Sequence, residues 1–246
     1  MDRPLTAFLG RLARSPRAAA CVLRGSLVTA HHVPGRRARD VDLLALDVDS
    51  LDGLHRLVDS LDTAGDALPP LTREETWLNT ASPGLKLRLG GALEVDLGFG
   101  DPLAAPPVTL VVAGVPLLAV GPETMAAWKA HGIVEFGRGR FRAKDIWDLV
   151  ALTERVRPFD LALFDRALAL AFSSRQTPLA ALDELLFDPT WGHGRSSRRK
   201  WRQLARSGLV PLPLPTLDDQ VQRIRAVLTG ALGRPPLPPL SAAKGG

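Results

Sequence analysis

The sequence predicts an α/β (α+β) protein in two parts: a mixed-sheet domain over residues 1–120, then a mostly helical domain over 121–232, closed by a Pro/Gly-rich tail at 233–246. Three observations carry this expectation. Residues 22–44 read as strand, turn, short helix and strand, and residues 85–99 alternate apolar and polar side chains on either side of Gly90-Gly91, as a hairpin does. From Phe159 onward the apolar residues recur at helical spacing. The tail, GRPPLPPLSAAKGG, has the composition of a disordered or extended segment.

Composition narrows the function classes. With 46% hydrophobic and 23% charged residues the 246-residue chain is of ordinary globular type and long enough for a sizeable core. A net charge of +5 favours an anionic partner such as RNA or a nucleotide. A single cysteine, Cys21, excludes an internal disulfide and suits a reducing cytoplasm. The apolar runs near the N-terminus are too short for a signal sequence or a membrane span, so no membrane association is expected. The histidines lack zinc spacing, and no Walker lysine, Gly-x-Ser-x-Gly or Gly-x-Gly-x-x-Gly motif follows a strand, which leaves zinc, hydrolase and P-loop readings without support.

In chain order, PLTAFLGRLARS is a first amphipathic helix. An apolar strand then ends at Arg24, Gly25-Ser26 opens a short helix, and a basic loop leads to a strand beginning Asp40-Val41-Asp42. Strand alternation puts both carboxylates on one side while Val41 and Leu43 face the other. Two such like charges are costly unless a cation shares them, and paired oxygen ligands suit Mg²⁺. The unpaired N–H groups at the helix start attract phosphate. Ser50 is placed to cap a helix reaching Ala64, with Asp47 and Asp49 in a solvated loop before it, and residues 71–79 are expected to be a short helix or an irregular connection.

The register of the hairpin follows from its pattern. A two-residue Gly90-Gly91 turn would mix polar and apolar groups on each face, whereas a three-residue loop segregates them. With Gly90–Ala92 as that loop, Leu87 opposes Val95, Arg88 opposes Glu94 and Lys86 opposes Asp96; a Leu89–Gly91 loop also segregates the faces. Apolar strands follow at 108–112 and 115–120 around Gly114, and Pro122-Glu123 opens a helix expected to end near Gly132, before a Gly/Arg-rich loop. Arg142-Ala143-Lys144-Asp145 opens the next helix, and further helices are expected at 161–172, 178–187, 195–206 and 217–232. The segment RSSRRKWRQLAR has no acid and interleaves Trp201 with its cations, so Arg198, Arg199, Lys200 and Trp201 are candidate RNA contacts, the indole by stacking on a base, and the alternative is a solvated helix whose Trp packs inward.

The order Gly-Ser, helix, Asp-x-Asp resembles the DNA polymerase β-like nucleotidyltransferases. With the later residues the chain resembles, within that superfamily, the AbiEii/AbiGii nucleotidyltransferase toxins, on Gly25, Ser26, Asp40, Asp42, Asp96, Lys129, Arg142, Lys144 and Asp145. The likeness implies a metal site of Asp40, Asp42 and Asp96 holding two Mg²⁺ ions, with Glu94 the competitor of Asp96. It further implies nucleotide contacts from Gly25, Ser26, Lys129 and Arg142, and catalytic roles for Lys144 and Asp145, Asp145 having a structural alternative as a cap or as a partner of Lys129 or Arg142. The expected activity is nucleotide transfer from an NTP to an acceptor such as a tRNA 3′ end or other RNA, in a toxin with a cognate antitoxin. Transfer to a small molecule, as in aminoglycoside nucleotidyltransferases, is the alternative, and a catalytically silent RNA- or protein-binding member is a third reading. Two departures stand out: Ala38 replaces a Ser/Thr that family members often carry before the metal strand, and Lys86 and Arg88 meet the second motif only loosely.

Overall fold

The computed structural model describes residues 3–62, 68–78, 83–91, 93–182, 188 and 190–233, and the expectation for the tail lies outside these except at Gly233. The chain divides into two compact units. One comprises Met1–His31, Ala38–Pro102 and Pro106–Gly121; the other comprises His32–Arg37, Leu103–Ala105 and Pro122–Gly246.

The first unit is a mixed sheet with helices α1 (Arg3–Arg14), α2 (Gly25–His32) and α3 (Leu51–Asp62). Its strands are β1 (Cys21–Arg24), β2 (Val41–Ala45), β3 (Leu71–Thr76), β4 (Gly84–Leu89), β5 (Leu93–Phe99), β6 (Val108–Val112) and β7 (Val115–Ala119). They lie in the order β3-β4-β5-β2-β1-β7-β6, with β2–β5 and β1–β7 parallel and the other neighbours antiparallel. Strand alternation sends Val41, Leu43, Leu85, Leu87, Val95 and Leu97 to one wholly buried face. Helix α3 covers that face with Leu54, Leu57, Val58 and Leu61, and Arg73 of β3 reaches Asp59 and Asp62 on it. Buried Arg11 of α1 joins the same cluster through Asp62 (3.1 Å) and the Pro69 carbonyl (3.0 Å).

The hairpin takes the segregated register, with Lys86 opposite Asp96, Leu87 opposite Val95 and Arg88 opposite Glu94. Residues 71–76 are a strand rather than a helix or an irregular connection. Their polar sequence, LTREET, hides this because β3 is an edge strand. Leu71 alone is fully buried, and Glu74 and Arg73 are held by Arg88 and by the Asp59–Asp62 end of α3. Cys21 is buried at the start of β1, and burial pushes its thiol up to about 12, which makes it an inert core residue.

The second unit is helical: α4 (Pro122–Arg140), α5 (Ala143–Arg155), α6 (Leu161–Ser174), α7 (Arg195–Arg206) and α8 (Leu217–Ala231). Asp160 caps α6 by accepting from the Ala162 and Leu163 N–H groups, and Thr216 with Asp219 forms a capping box on α8. Helix α4 does not stop at Gly132 but continues to Arg140, broken at Gly137 (φ 63°, ψ −176°). Gly132 is an interior glycine whose missing side chain admits its neighbours, since a Cβ there would lie 3.3 Å from an Arg142 guanidinium nitrogen. Of the helix expected at 178–187, the described part includes a 3₁₀ turn, Leu179–Ala181; residues 183–187 lie outside the described chain. Among the described residues no helix is long and apolar enough to cross a membrane.

Candidate active site

In the first unit a single row of charged residues crosses the sheet. Cα pairing aligns Glu74 on β3, Lys86 on β4, Asp96 on β5, Asp42 on β2 and Arg24 on β1, so all five side chains leave the face opposite α3. Asp42 and Asp96 are direct partners on adjacent parallel strands. That places Asp96 beside Asp42, while the competitor Glu94 lies two pairs further along, exposed and engaged by Arg88 (3.3 Å) and Lys86 (3.6 Å). The second Asp-x-Asp, Asp47 and Asp49, is exposed beyond the end of β2.

Asp96 is the electrostatically stressed member. Burial raises its carboxyl above the ordinary range; Lys86 opposes the rise, and the Asp42 and Asp40 charges add to it. Its Oδ1 is buried without a hydrogen-bond partner, because the Lys86 ammonium stands 3.6 Å away, close enough for an ion pair but too far for a hydrogen bond.

Asp40 precedes the first residue of β2 and accepts a 2.7 Å hydrogen bond from the Ser26 hydroxyl. Gly25 starts α2 at φ 69°, and a Cβ there would lie 1.8 Å from Asp42 Oδ2, so glycine is what allows the helix start to close on the carboxylate. The Ser26 N–H points at the same oxygen at 3.4 Å. In this arrangement the helix N-terminus expected to receive phosphate faces Asp40 and Asp42 instead. Hard carboxylate oxygens and the orphaned Asp96 Oδ1 suit a divalent cation in chemistry. Among the described residues, however, no group of three or more Asp, Glu, His or Cys side chains is gathered closely enough to hold one as it stands.

Arg24 was not singled out from the sequence. It ion-pairs with Asp101, and its guanidinium lies over Gly98, where a Cβ would meet a nitrogen at 2.7 Å. Its signal was its position: it alternates with Val22 and directly precedes Gly25.

In the second unit Lys129, Arg142 and Asp145 come together. Asp145, wholly buried, accepts from Lys129 (2.7 Å) and from Arg142 (2.6 Å). Burial alone would raise its carboxyl, but Lys129 and Arg142 outweigh that and hold it below the ordinary range. Lys129 is shared with a second wholly buried carboxylate, Asp148 (3.2 Å), which grips Arg36 through two oxygens at 2.7 and 3.2 Å. Burial lowers the Lys129 ammonium, yet the two carboxylates win and leave it raised. Arg142, with its side chain half exposed, packs on Phe136, and Lys144 sits in the first turn of α5. No spacing rule links Arg36 to Asp148, 112 residues apart, and Asp148 escaped the sequence reading.

Helix α7 takes the second of the two readings of its tryptophan. Trp201 is only 7% exposed and its indole N–H donates to the Pro215 carbonyl at 2.9 Å, so its ring offers no face to a base. Lys200 likewise folds back, donating to the Phe141 carbonyl (3.2 Å). What α7 does present is a stripe of Arg195, Arg198, Arg199, Arg202 and Arg206, all exposed and at i, i+3, i+4, i+7 and i+11 spacing, with no ion pair among the described residues. Ser197, Trp201 and Leu204 are its buried side.

The family described as "Nucleotidyl transferase AbiEii toxin, Type IV TA system" matches residues 7–223, nearly the whole chain. The protein belongs to the AbiEii family. It is accordingly a nucleotidyltransferase of a type IV toxin–antitoxin family. Among solved structures, the AbiEii chain is similar to JHP933 from Helicobacter pylori, at 15% identity and a TM-score of 0.50, with 94% of this chain and 92% of that one covered. That likeness bears on the fold. A second H. pylori protein, described as a candidate nucleotidyltransferase, aligns at 14% identity and TM-score 0.46, covering 94% and 95%. An antigenic nucleotidyltransferase-like protein from Paracoccidioides brasiliensis aligns at 20% identity and TM-score 0.37, covering 63% and 80%. No curated protein matches the sequence.

Proposed function

We propose that this AbiEii protein moves a nucleotide from an NTP to the 3′ end of an RNA, with tRNA as the acceptor class and an antitoxin as its cellular partner. Asp40, Asp42 and Asp96 would hold Mg²⁺, whose chemistry when bound is to neutralise triphosphate charge and acidify the attacking hydroxyl. The observation that carries this reading is the Asp42–Asp96 pair on adjacent strands, with Asp96 Oδ1 buried and unsatisfied. Asp96, the carboxylate whose pKa is raised, is suited to take the proton of the incoming 3′-hydroxyl. Ser26 holds the terminal phosphates once its hydroxyl leaves Asp40. By the family likeness Arg142 and Lys144 are assigned to phosphate, and Asp145, which Lys129 also grips, holds the Arg142 guanidinium.

The arginine stripe of α7 supports an RNA acceptor over a small molecule, because five exposed cations along one helix face match a phosphate backbone rather than a single group. Asp42→Asn tests the reading. Labelled-NTP transfer to total RNA in Mg²⁺ should fall by orders of magnitude, while the metal-free melting temperature holds or rises and Mg²⁺ protects the variant less than the parent. Transfer at the parental rate would refute the mechanism.

A further inference from the structure

The charged row keeps its two central carboxylates between two cations, all four within the sheet unit. Lys86 on β4 stands opposite Asp96 on β5, and Arg24 on β1 stands opposite Asp42 on β2. Neighbouring strands lie about 4.8 Å apart, so each cation is rooted one strand spacing from the pair. The Lys86 ammonium lies 3.6 Å from Asp96 Oδ1 and 3.6 Å from Glu94 Oε2, at ion-pair but not hydrogen-bond distance. The Arg24 guanidinium is fixed more firmly: it is ion-paired with Asp101, and glycine at 98 leaves the room it fills. Both side chains are mostly covered, 26% and 17% exposed, so dissolved salt screens them little.

We infer that Lys86 and Arg24 are the counter-ions of Asp42 and Asp96, holding down the affinity of the pair for a divalent cation until the triphosphate of an NTP draws Lys86 away. Two carboxylates side by side are costly alone, and one positive charge beside each offsets that cost. A divalent cation entering between Asp42 and Asp96 meets both positive charges at close range in a poorly screened place, and their repulsion subtracts from its binding. Lys86 is the one able to move. Its ammonium is a point charge on a flexible stem, shared between two carboxylates without a hydrogen bond to either, and a triphosphate presents more negative charge than one carboxylate. Arg24, a planar fork seated over Gly98, keeps its place and its field. Lys86 is thereby specificity-determining, favouring metal that arrives with NTP over free metal.

This inference rests on the metal role proposed for Asp42 and Asp96, and its test uses Mn²⁺ alone as the probe, with no nucleotide present. Mn²⁺ affinity of the full chain, read by electron paramagnetic resonance, is compared for the parent, Lys86→Gln, Arg24→Gln and Arg56→Gln, the last removing one exposed cation from α3 on the other face of the sheet. Lys86→Gln should bind Mn²⁺ about tenfold or more tighter than the parent and Arg24→Gln also tighter, while Arg56→Gln stays within about twofold. In labelled-NTP transfer at saturating Mn²⁺, the KM for NTP of Lys86→Gln should rise about fivefold or more. Tighter metal with weaker NTP is a pair of shifts that loss of structure does not produce, and an unchanged KM overturns the exchange of Lys86 onto NTP. Adding Asp42→Asn to Lys86→Gln should abolish the gain in Mn²⁺ affinity. If Lys86→Gln does not fold, Arg24→Gln and its double variant with Asp42→Asn carry the metal test. Parental or weaker Mn²⁺ binding by a folded Lys86→Gln, with Asp42→Asn still weakening the parent, overturns the counter-ion role and leaves the metal reading standing. A gain that survives Asp42→Asn, or a parent whose Mn²⁺ binding is insensitive to Asp42→Asn, overturns the metal reading and the inference with it.

Discussion

Gly25→Ala tests how the start of α2 is fitted to the carboxylate. Two costs are separable. The first is backbone strain: at φ 69° an L-residue with a Cβ costs about 1–2 kcal/mol. The second is steric, because the new Cβ would lie 1.8 Å from Asp42 Oδ2, 2.4 Å from its Cγ and 2.8 Å from its Cβ. A rotamer change moves the carboxylate oxygen away but not the Cβ, so the backbone of α2 or β2 has to give, at about 1–3 kcal/mol for overpacking. Gly91 isolates the first cost, since it has φ 72° and nothing within 4 Å of an added Cβ. Gly91→Ala is therefore expected to cost about 1–2 kcal/mol, and Gly25→Ala about 2–5 kcal/mol. At roughly 2–4 °C per kcal/mol for a chain of this size, thermal melting followed by circular dichroism separates the two variants. Labelled-NTP transfer, assayed at a temperature where both are folded, should fall about 100-fold or more for Gly25→Ala, because a displaced carboxylate loses its alignment, and should stay parental for Gly91→Ala. If Gly25→Ala transfers nucleotide as well as Gly91→Ala does, the close approach of α2 to Asp42 is not part of the active site.

Other expectations follow from the same structure. Asp145 has a lowered pKa when folded, so its pairing stabilises the protein above the ordinary carboxylate range and is lost as pH falls through the folded value; Asp145→Asn should destabilise at pH 7, with the gap from the parent closing in acid melts. Asp96 has the opposite sign. Its raised pKa means that stability declines as pH rises from the ordinary carboxylate range to the higher folded value, so Asp96→Asn should flatten that part of the metal-free pH–stability curve and melt no lower than the parent at pH 7. Replacing Arg198, Arg199 and Arg202 by Ala should reduce the slope of log affinity for RNA against log salt by about 0.7–0.9 per lost phosphate contact, and an unchanged slope would return α7 to a plain solvated face. Trp201→Ala should cost about 3–5 kcal/mol in melts, whereas Trp201→Leu, which fills much of the same buried space without an aromatic face, should keep RNA affinity in the folded variant, which a stacking role would not allow.

Period and charge were enough, without coordinates, to place β1, α2, β2 and the β4–β5 hairpin. There each side chain is decided locally, by alternation across a strand or by glycine at a turn. The same logic put Lys86 and Asp96 on the polar face of the hairpin, whereas setting Asp96 beside Asp42 took the pairing of β2 with β5, which only the tertiary structure supplies. Local rules failed where a partner from far along the chain decides. LTREET became a strand because β4 lends it a ladder, and Gly132 stayed inside a helix because Arg142 needs the space. Trp201, for which base stacking and inward packing were both open, turned inward because the Pro215 carbonyl meets its indole N–H. The joining of Arg36 to Asp148 is of the same kind. An ion pair between residues 112 apart leaves no period or spacing in a sequence, and only the folded chain brings the two charges into one water-free place where each requires the other.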